Sequence, residues 1–112
     1  MSDTDPKSRI QELSPADAIS ERAERDTLFL DVREDNEWNL FRIPGALHVP
    51  LADLEQRVQN EVKPDRRVIV YCKSGNRSAA AADQMQQLGY IDVVSLAEGI
   101  RGWMGAGGEL EE

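Results

Sequence analysis

Residues 68–88 read as a strand, a tight loop and a helix in immediate succession, and that unit restricts the chain more than any other stretch. Val68, Ile69, Val70 and Tyr71 are all strand formers, set off by the polar pair Arg66-Arg67. Ser74, Gly75 and Asn76 are turn residues, and the run from Ala79 to Leu88 favours a helix over about 77–88, with Gly89 suited to the position just past its end. Similar alternation recurs along the chain. The pattern predicts strands at 10–13, 28–32, 46–49, 68–71 and 92–96. Helices are predicted from Pro15 to about Arg25, with Ser14 as N-cap and Asp17 in the capping-box place, and at 51–60 and 100–104. Within them, Leu51, Leu54 and Val58 lie at helical spacing, and Ala81, Met85 and Leu88 form the stripe expected against the sheet. Strands separated by helices imply an α/β fold with a mainly parallel five-stranded sheet covered on both faces. Ligands of such sheets bind beyond the carboxyl ends of the strands, where Cys72 and the turn Asp31-Val32-Arg33 both fall.

Cys72 is the only cysteine. A lone cysteine is often a buried structural hydrophobe, but the loop that follows this one argues for chemistry. Backbone N–H groups in a loop that opens a helix have no intrahelical partner, and the helix dipole adds positive potential at the same end. Such a cradle biases a thiol towards thiolate. A single cysteine also cannot close an internal disulfide. A covalent adduct on its sulfur therefore has no second thiol in the chain to resolve it.

At 112 residues the chain is expected to be one domain. Residues 1–8 and 108–112 are expected as disordered tails, the second acidic, around a domain at 9–107. The net charge of −8 argues against nucleic acid as a partner. Apolar runs fall far short of the roughly 20 residues that span a bilayer, and the start of the chain has no apolar signal core, so no membrane association and a cytoplasmic location are expected.

The loop Cys72-Lys-Ser-Gly-Asn-Arg77-Ser78 resembles the active-site loop of the rhodanese-like sulfurtransferases. Further matching pieces follow in the family's order: Leu28-Phe-Leu-Asp-Val-Arg33 with Glu37-Trp38, Ile43-Pro-Gly-Ala46 with Val49-Pro50-Leu51, and Leu96-Ala-Glu-Gly99 with Gly102-Trp103. The resemblance covers roughly residues 9–105 and implies a three-layer rhodanese-like fold. It departs at Phe41-Arg42, where the family often has Gly-His, and at Glu98-Gly99, where it has Gly-Gly. Related cell-cycle-control phosphatases use a C-x5-R loop, whereas Cys72 to Arg77 is C-x4-R. The shorter cradle fits one sulfur atom on Sγ, which implies sulfur transfer rather than phosphatase action.

By that resemblance Cys72 is the nucleophile of a thiosulfate-type sulfurtransferase that carries a sulfane sulfur to cyanide or a thiol and requires no metal or organic cofactor. Lys73, Ser74, Gly75, Asn76, Arg77 and Ser78 are the expected substrate-binding residues, with Ser78 alternatively capping the helix. Arg33 either contacts an anionic donor or sits in an ion pair, Asp31 either supports the loop by accepting from its backbone or holds a catalytic proton, and Arg77 either faces the substrate or pins the loop from behind. Lone His48, without an acidic or cysteine cluster, suggests neither a metal site nor a catalytic base. Trp38, Trp103, Met85 and Met104 are expected as core or rim packing rather than recognition residues. Rival readings are a relay module loaded by a cysteine desulfurase for cofactor or tRNA thiolation through a sulfur-acceptor protein, and a non-catalytic domain that binds an anion or a partner.

Overall fold

The computed structural model describes residues 10–112. In chain order its elements are β1 (Glu12–Leu13), α1 (Pro15–Glu24), β2 (Leu28–Asp31), α2 (Asp35–Leu40), β3 (Leu47–His48), a 3-10 turn (Leu51–Asp53) running into α3 (Leu54–Glu61), β4 (Val68–Tyr71), α4 (Asn76–Gln87), β5 (Val93–Leu96) and α5 (Gly99–Gly105). The five strands form one sheet in the order β1-β5-β4-β2-β3, and every pairing is parallel. β4 therefore lies at the centre, paired with β2 through Leu28↔Val68 to Asp31↔Tyr71 and with β5 through Val68↔Val93 to Val70↔Ser95. Buried on both faces, β4 needs apolar side chains throughout, and the unbroken run Val68–Tyr71 supplies them.

Alternation along the strands divides the core into two layers. Leu30, Val68 and Val70 pack with Leu54 and Val58 of α3 and with Ala81, Ala82 and Met85 of α4. Phe29, Ile69, Tyr71, Val94 and Leu96 pack on the opposite face with Ala18 of α1 and Ile100 and Trp103 of α5. Helices on both faces of a parallel sheet make the three-layer arrangement. An ionic link ties the layers at the strands' amino ends: Arg67, just before β4, donates to both carboxylate oxygens of Glu21 at 2.8 and 2.9 Å and to Asp92 at 2.9 Å.

Helix ends follow local chemistry. Ser14 caps α1, accepting from the Asp17 amide at 3.1 Å. At the end of α4, Gly89 adopts φ +101°, and the amides of Gly89 and Tyr90 return to the carbonyls of Gln86 and Met85, a Schellman closure.

Two expectations are corrected, and one helix is added. The stretch 35–40, read only as part of a motif, is helix α2, whose start is closed by the Glu34 amide donating to Glu37 at 2.9 Å. Residues 108–112 do not hang free. Arg42 and Glu111 form an antiparallel bridge, the Trp103 indole N–H donates to the Glu109 carbonyl at 2.8 Å, and Leu110 packs on the second core layer. Met104 of α5 is 44% exposed, whereas Gly99, Ile100 and Trp103 are buried. Strand β1 is shorter than expected: Glu12 and Leu13 pair with Ser95 and Leu96 of β5, and ahead of them Gln11 adds its carbonyl, which accepts from the Ser95 amide at 3.0 Å. The expected tail at 1–8 lies outside the described residues.

Candidate active site

Cys72 leaves β4 at its carboxyl end, and the next three residues turn the chain into α4. Gly75 makes the turn with φ +111°, a conformation that side chains resist, and its amide points back at the sulfur. The Gly75 N–H donates to Cys72 Sγ at 3.1 Å and the Ser78 N–H at 3.4 Å. Ser78 Oγ lies 3.6 Å from Sγ. Burial on its own raises the thiol's pKa. The Ser78 hydroxyl with the amides of Ser78, Gly75 and Ser74 outweighs that penalty, so the thiol sits below its ordinary value of 9.0. At 1% exposure, the sulfur is within reach of only a compact reacting atom.

The loop is aimed from outside by α5. The amides of Ile100 and Arg101 donate to the carbonyls of Cys72 and Lys73 at 2.8 and 3.2 Å. With the carbonyls held outward, the loop amides are left to face the sulfur. Close packing makes this possible: a Cβ on Gly99 would lie 2.5 Å from the Lys73 carbonyl carbon and oxygen and 2.6 Å from the Cys72 oxygen. Its neighbour Glu98, standing where the family often has glycine, holds φ +63°, the single non-glycine residue in the left-handed region among the described residues.

Arg77 does not point at the sulfur's open side. Its guanidinium forks onto Glu37 of α2 at 2.7 and 3.0 Å, and this pairing holds the Glu37 carboxyl down at about 2. Of the two roles considered for Arg77, the geometry fits the one that braces the loop. Arg33 is likewise withdrawn. It is 2% exposed, clasps Asp31 through contacts of 2.7–3.1 Å, donates to the Phe41 carbonyl and lies over the rings of Phe41 and Tyr71. At 2% exposure and paired with Asp31, the guanidinium fits the ion-pair role and not contact with an anionic donor, which corrects its expected place in substrate binding. Asp31 also accepts from the Arg33 amide at 2.8 Å and stabilises its own turn rather than the cysteine loop.

Lys73, Ser74 and Asn76 are exposed around the loop, whereas Gly75 and Ser78 are buried. Ser78 stands three residues after the helix-capping position held by Gly75, so its hydroxyl serves the sulfur side and not the cap. An open groove of about 770 Å³ adjoins Ser74, bounded by Ser14–Ala16 at the start of α1 and by Glu98, Arg101 and Gly102. His48 stacks on Trp38 at 4.7 Å with Nε2 2.8 Å from the Arg33 carbonyl. Among the described residues no three His, Cys, Asp or Glu side chains converge as a metal site, and no helix is long and apolar enough to cross a membrane.

The sequence reading missed Ser95, Gly99 and Glu37 as parts of the site. Ser95 had a legible signal, as the one hydroxyl in the apolar strand Val93–Leu96, but its partner Ser78 is brought to it only by the parallel packing of β5 beside β4 and α4.

Comparison with known proteins agrees with this geometry. The family model for the rhodanese-like domain matches residues 14–106. A putative sulfur carrier protein of Bacillus subtilis (strain 168) is 36% identical over 100 residues, 88% of this chain, which spans about half (53%) of that relative's length. Among solved structures, a protein of unknown function from Rhodopseudomonas palustris described as a possible tyrosine phosphatase superposes with a TM-score of 0.86 at 31% identity, covering 95% of this chain and 88% of that one. A thiosulfate sulfurtransferase from Pseudomonas aeruginosa superposes with a TM-score of 0.80 at 33% identity over 90% of this chain and 20% of that one. With its parallel five-stranded sheet, its cysteine loop at the end of β4 and a family match over most of its length, the chain belongs to the rhodanese-like domain family.

Proposed function

We propose that the protein is a sulfurtransferase that carries sulfane sulfur as a persulfide on Cys72. The observation that carries this reading is the ring of donors around Sγ, with amides of Gly75 and Ser78 at 3.1 and 3.4 Å. In the first step the Cys72 thiolate attacks the outer sulfur of a donor such as thiosulfate. A bond forms between Sγ and that sulfur, the donor's S–S bond breaks, and sulfite leaves with the electron pair. In the second step an acceptor thiolate or cyanide attacks the outer sulfur and Cys72 departs as thiolate. The ring of amides serves both steps, since each passes through an anionic sulfur at the same place. Lys73, exposed beside the ring, is suited to an approaching anion. A cytoplasmic setting, where thiols stay reduced, suits a carrier with one cysteine.

Intact-mass measurement tests the reading. Treatment with thiosulfate, mercaptopyruvate, or a cysteine desulfurase with cysteine is expected to add one sulfur atom to the wild type and none to Cys72→Ser. If no donor loads the protein, the proposal is wrong. Loading by the desulfurase together with slow thiosulfate turnover would identify a relay module, a reading supported by the sulfur carrier of Bacillus subtilis.

The Rhodopseudomonas relative raises phosphatase action as a second reading. Two features weigh against it: only four residues separate Cys72 from Arg77, and both arms of the Arg77 fork are taken by Glu37. Release of phosphate from an aryl phosphate, lost in Cys72→Ser, is the outcome that would overturn the sulfur assignment.

A further inference from the structure

We propose that Ser95 is a positioning residue of the active site, acting through Ser78 to direct a hydroxyl hydrogen onto Cys72 Sγ and hold the sulfur as an anion. The proposal rests on Cys72 being the reacting thiol, and its support is a count of hydrogens. Ser95 sits on β5 with no exposure, and its Oγ lies 2.8 Å from Ser78 Oγ. Among the described residues that is the hydroxyl's one hydrogen-bond partner. A buried hydroxyl needs an acceptor for its proton, so the Ser95 hydrogen goes to Ser78 Oγ.

Ser78 Oγ then has its own single hydrogen to place, and two acceptors are in range: the Gly75 carbonyl at 3.2 Å and Sγ at 3.6 Å. The Gly75 carbonyl already accepts from the Ala79 amide at 3.2 Å. A sulfur anion is the stronger claimant on the Ser78 hydrogen, and sulfur's larger radius makes the longer distance a bonding one. When Sγ is a neutral thiol the chain relaxes, with S–H donating to Ser78 and Ser78 turning to Gly75. By donating to Ser78 Oγ, Ser95 polarises the Ser78 hydroxyl into a stronger donor, which favours the sulfur anion over the neutral thiol. Charged groups around the loop are Lys73, Arg77 with its partner Glu37, and Glu98 and Arg101 at the start of α5; none is altered by changing Ser95.

The test is the pH dependence of Cys72 alkylation by iodoacetamide, which reports the thiolate fraction and requires no sulfur donor. Ser95→Ala is expected to move the midpoint up by roughly half to one pH unit, slowing reaction about three- to tenfold on the acid side while the high-pH plateau stays put. Ser95→Thr, which keeps the hydroxyl, is expected to retain the wild-type midpoint, and its isostere Ser95→Val to lose it. That second pair carries the comparison if Ser95→Ala does not fold, as judged by near-ultraviolet circular dichroism. In a Ser78→Ala background, Ser95→Ala is expected to add no further shift. An unchanged midpoint in folded Ser95→Ala or Ser95→Val, or a shift that persists without Ser78, overturns the proposal. A wild type that accepts no sulfur yet shows the Ser95 shift would defeat the sulfurtransferase reading alone, and one that loads sulfur without the shift would defeat the Ser95 proposal alone.

Discussion

At the scale of single residues, the site depends on atoms that meet without leaving room. Gly99 is the sharpest case, because a side chain there would run into backbone atoms of Lys73 and Cys72 at 2.5–2.6 Å and would have to hold φ +59°. Backbone cannot swing aside as a flexible side chain does. Gly99→Ala is therefore expected to lower stability by about 2 kcal/mol and to slow Cys72 alkylation, since pushing α5 away releases the carbonyls that Ile100 and Arg101 hold. Urea unfolding and alkylation rates check both halves, and wild-type values for either would mean that the loop tolerates the shift. Of these residues the cysteine, its turn glycine and the position of the loop were legible in the sequence, because turn chemistry and strand-forming runs are local. Glu37, Gly99 and Ser95 act on Cys72 across distances of tens of residues along the chain, and no local pattern announces them.

At the scale of elements, α2 is the piece that the sequence reading left out, and it matters for the site because it braces α4. Glu37 ties α2 to Arg77 by a forked ion pair whose side chains are about a quarter to a third exposed. Its short length and mixed composition hid it, although Glu34 followed three places later by Glu37 is the reciprocal cap that marks a helix start. The pairing carries a pH dependence of definite sign. The Glu37 carboxyl is held at about 2 against an ordinary 4.5, so the unfolded chain binds more protons between those values. Its contribution is complete above about 4.5 and is lost as pH falls towards 2. With solvent screening at a partly exposed pair, that contribution is about 1 kcal/mol. Denaturant unfolding of wild type and Glu37→Gln should differ by this amount near neutrality and converge as pH approaches 2; a constant gap would assign the loss to packing instead.

At the scale of the whole molecule, the carboxyl-terminal segment closes the face that carries α1 and α5. Glu109 accepts from the buried Trp103 indole, Leu110 covers the second core layer, and Glu111 pairs with Arg42, whose guanidinium lies over Trp38 at 4.8 Å. Ending the chain at Gly108 removes the contacts of Glu109, Leu110 and Glu111 and frees the Trp103 indole N–H, while Gly108 stays against the ring. A loss of about 1–2 kcal/mol, or a fall in Tm on the order of 5–10 °C, is expected. A red shift of tryptophan emission should accompany it, because the indole N–H then bonds to water. Unchanged Tm and emission would mean that the segment contributes nothing to the fold. Composition alone suggested a solvated acidic tail, since Glu109, Glu111 and Glu112 outnumber Leu110; the partners that retain it, Arg22, Arg42 and Trp103, lie elsewhere in the sequence.

By itself the sequence determined the alternation of strand and helix, the parallel sheet, and the placing of one cysteine at the head of a short amide-lined loop. Each of these is legible from local patterns: side-chain periodicity, caps, turn glycines, and the helices between strands that call for parallel pairing. Tertiary structure alone decided the order β1-β5-β4-β2-β3, the use of Arg77 as a brace and the contact of Ser95 with Ser78. The reason is that a buried charge or hydroxyl takes the partner that folding delivers, and that partner is set by which strands lie side by side rather than by neighbours in the chain.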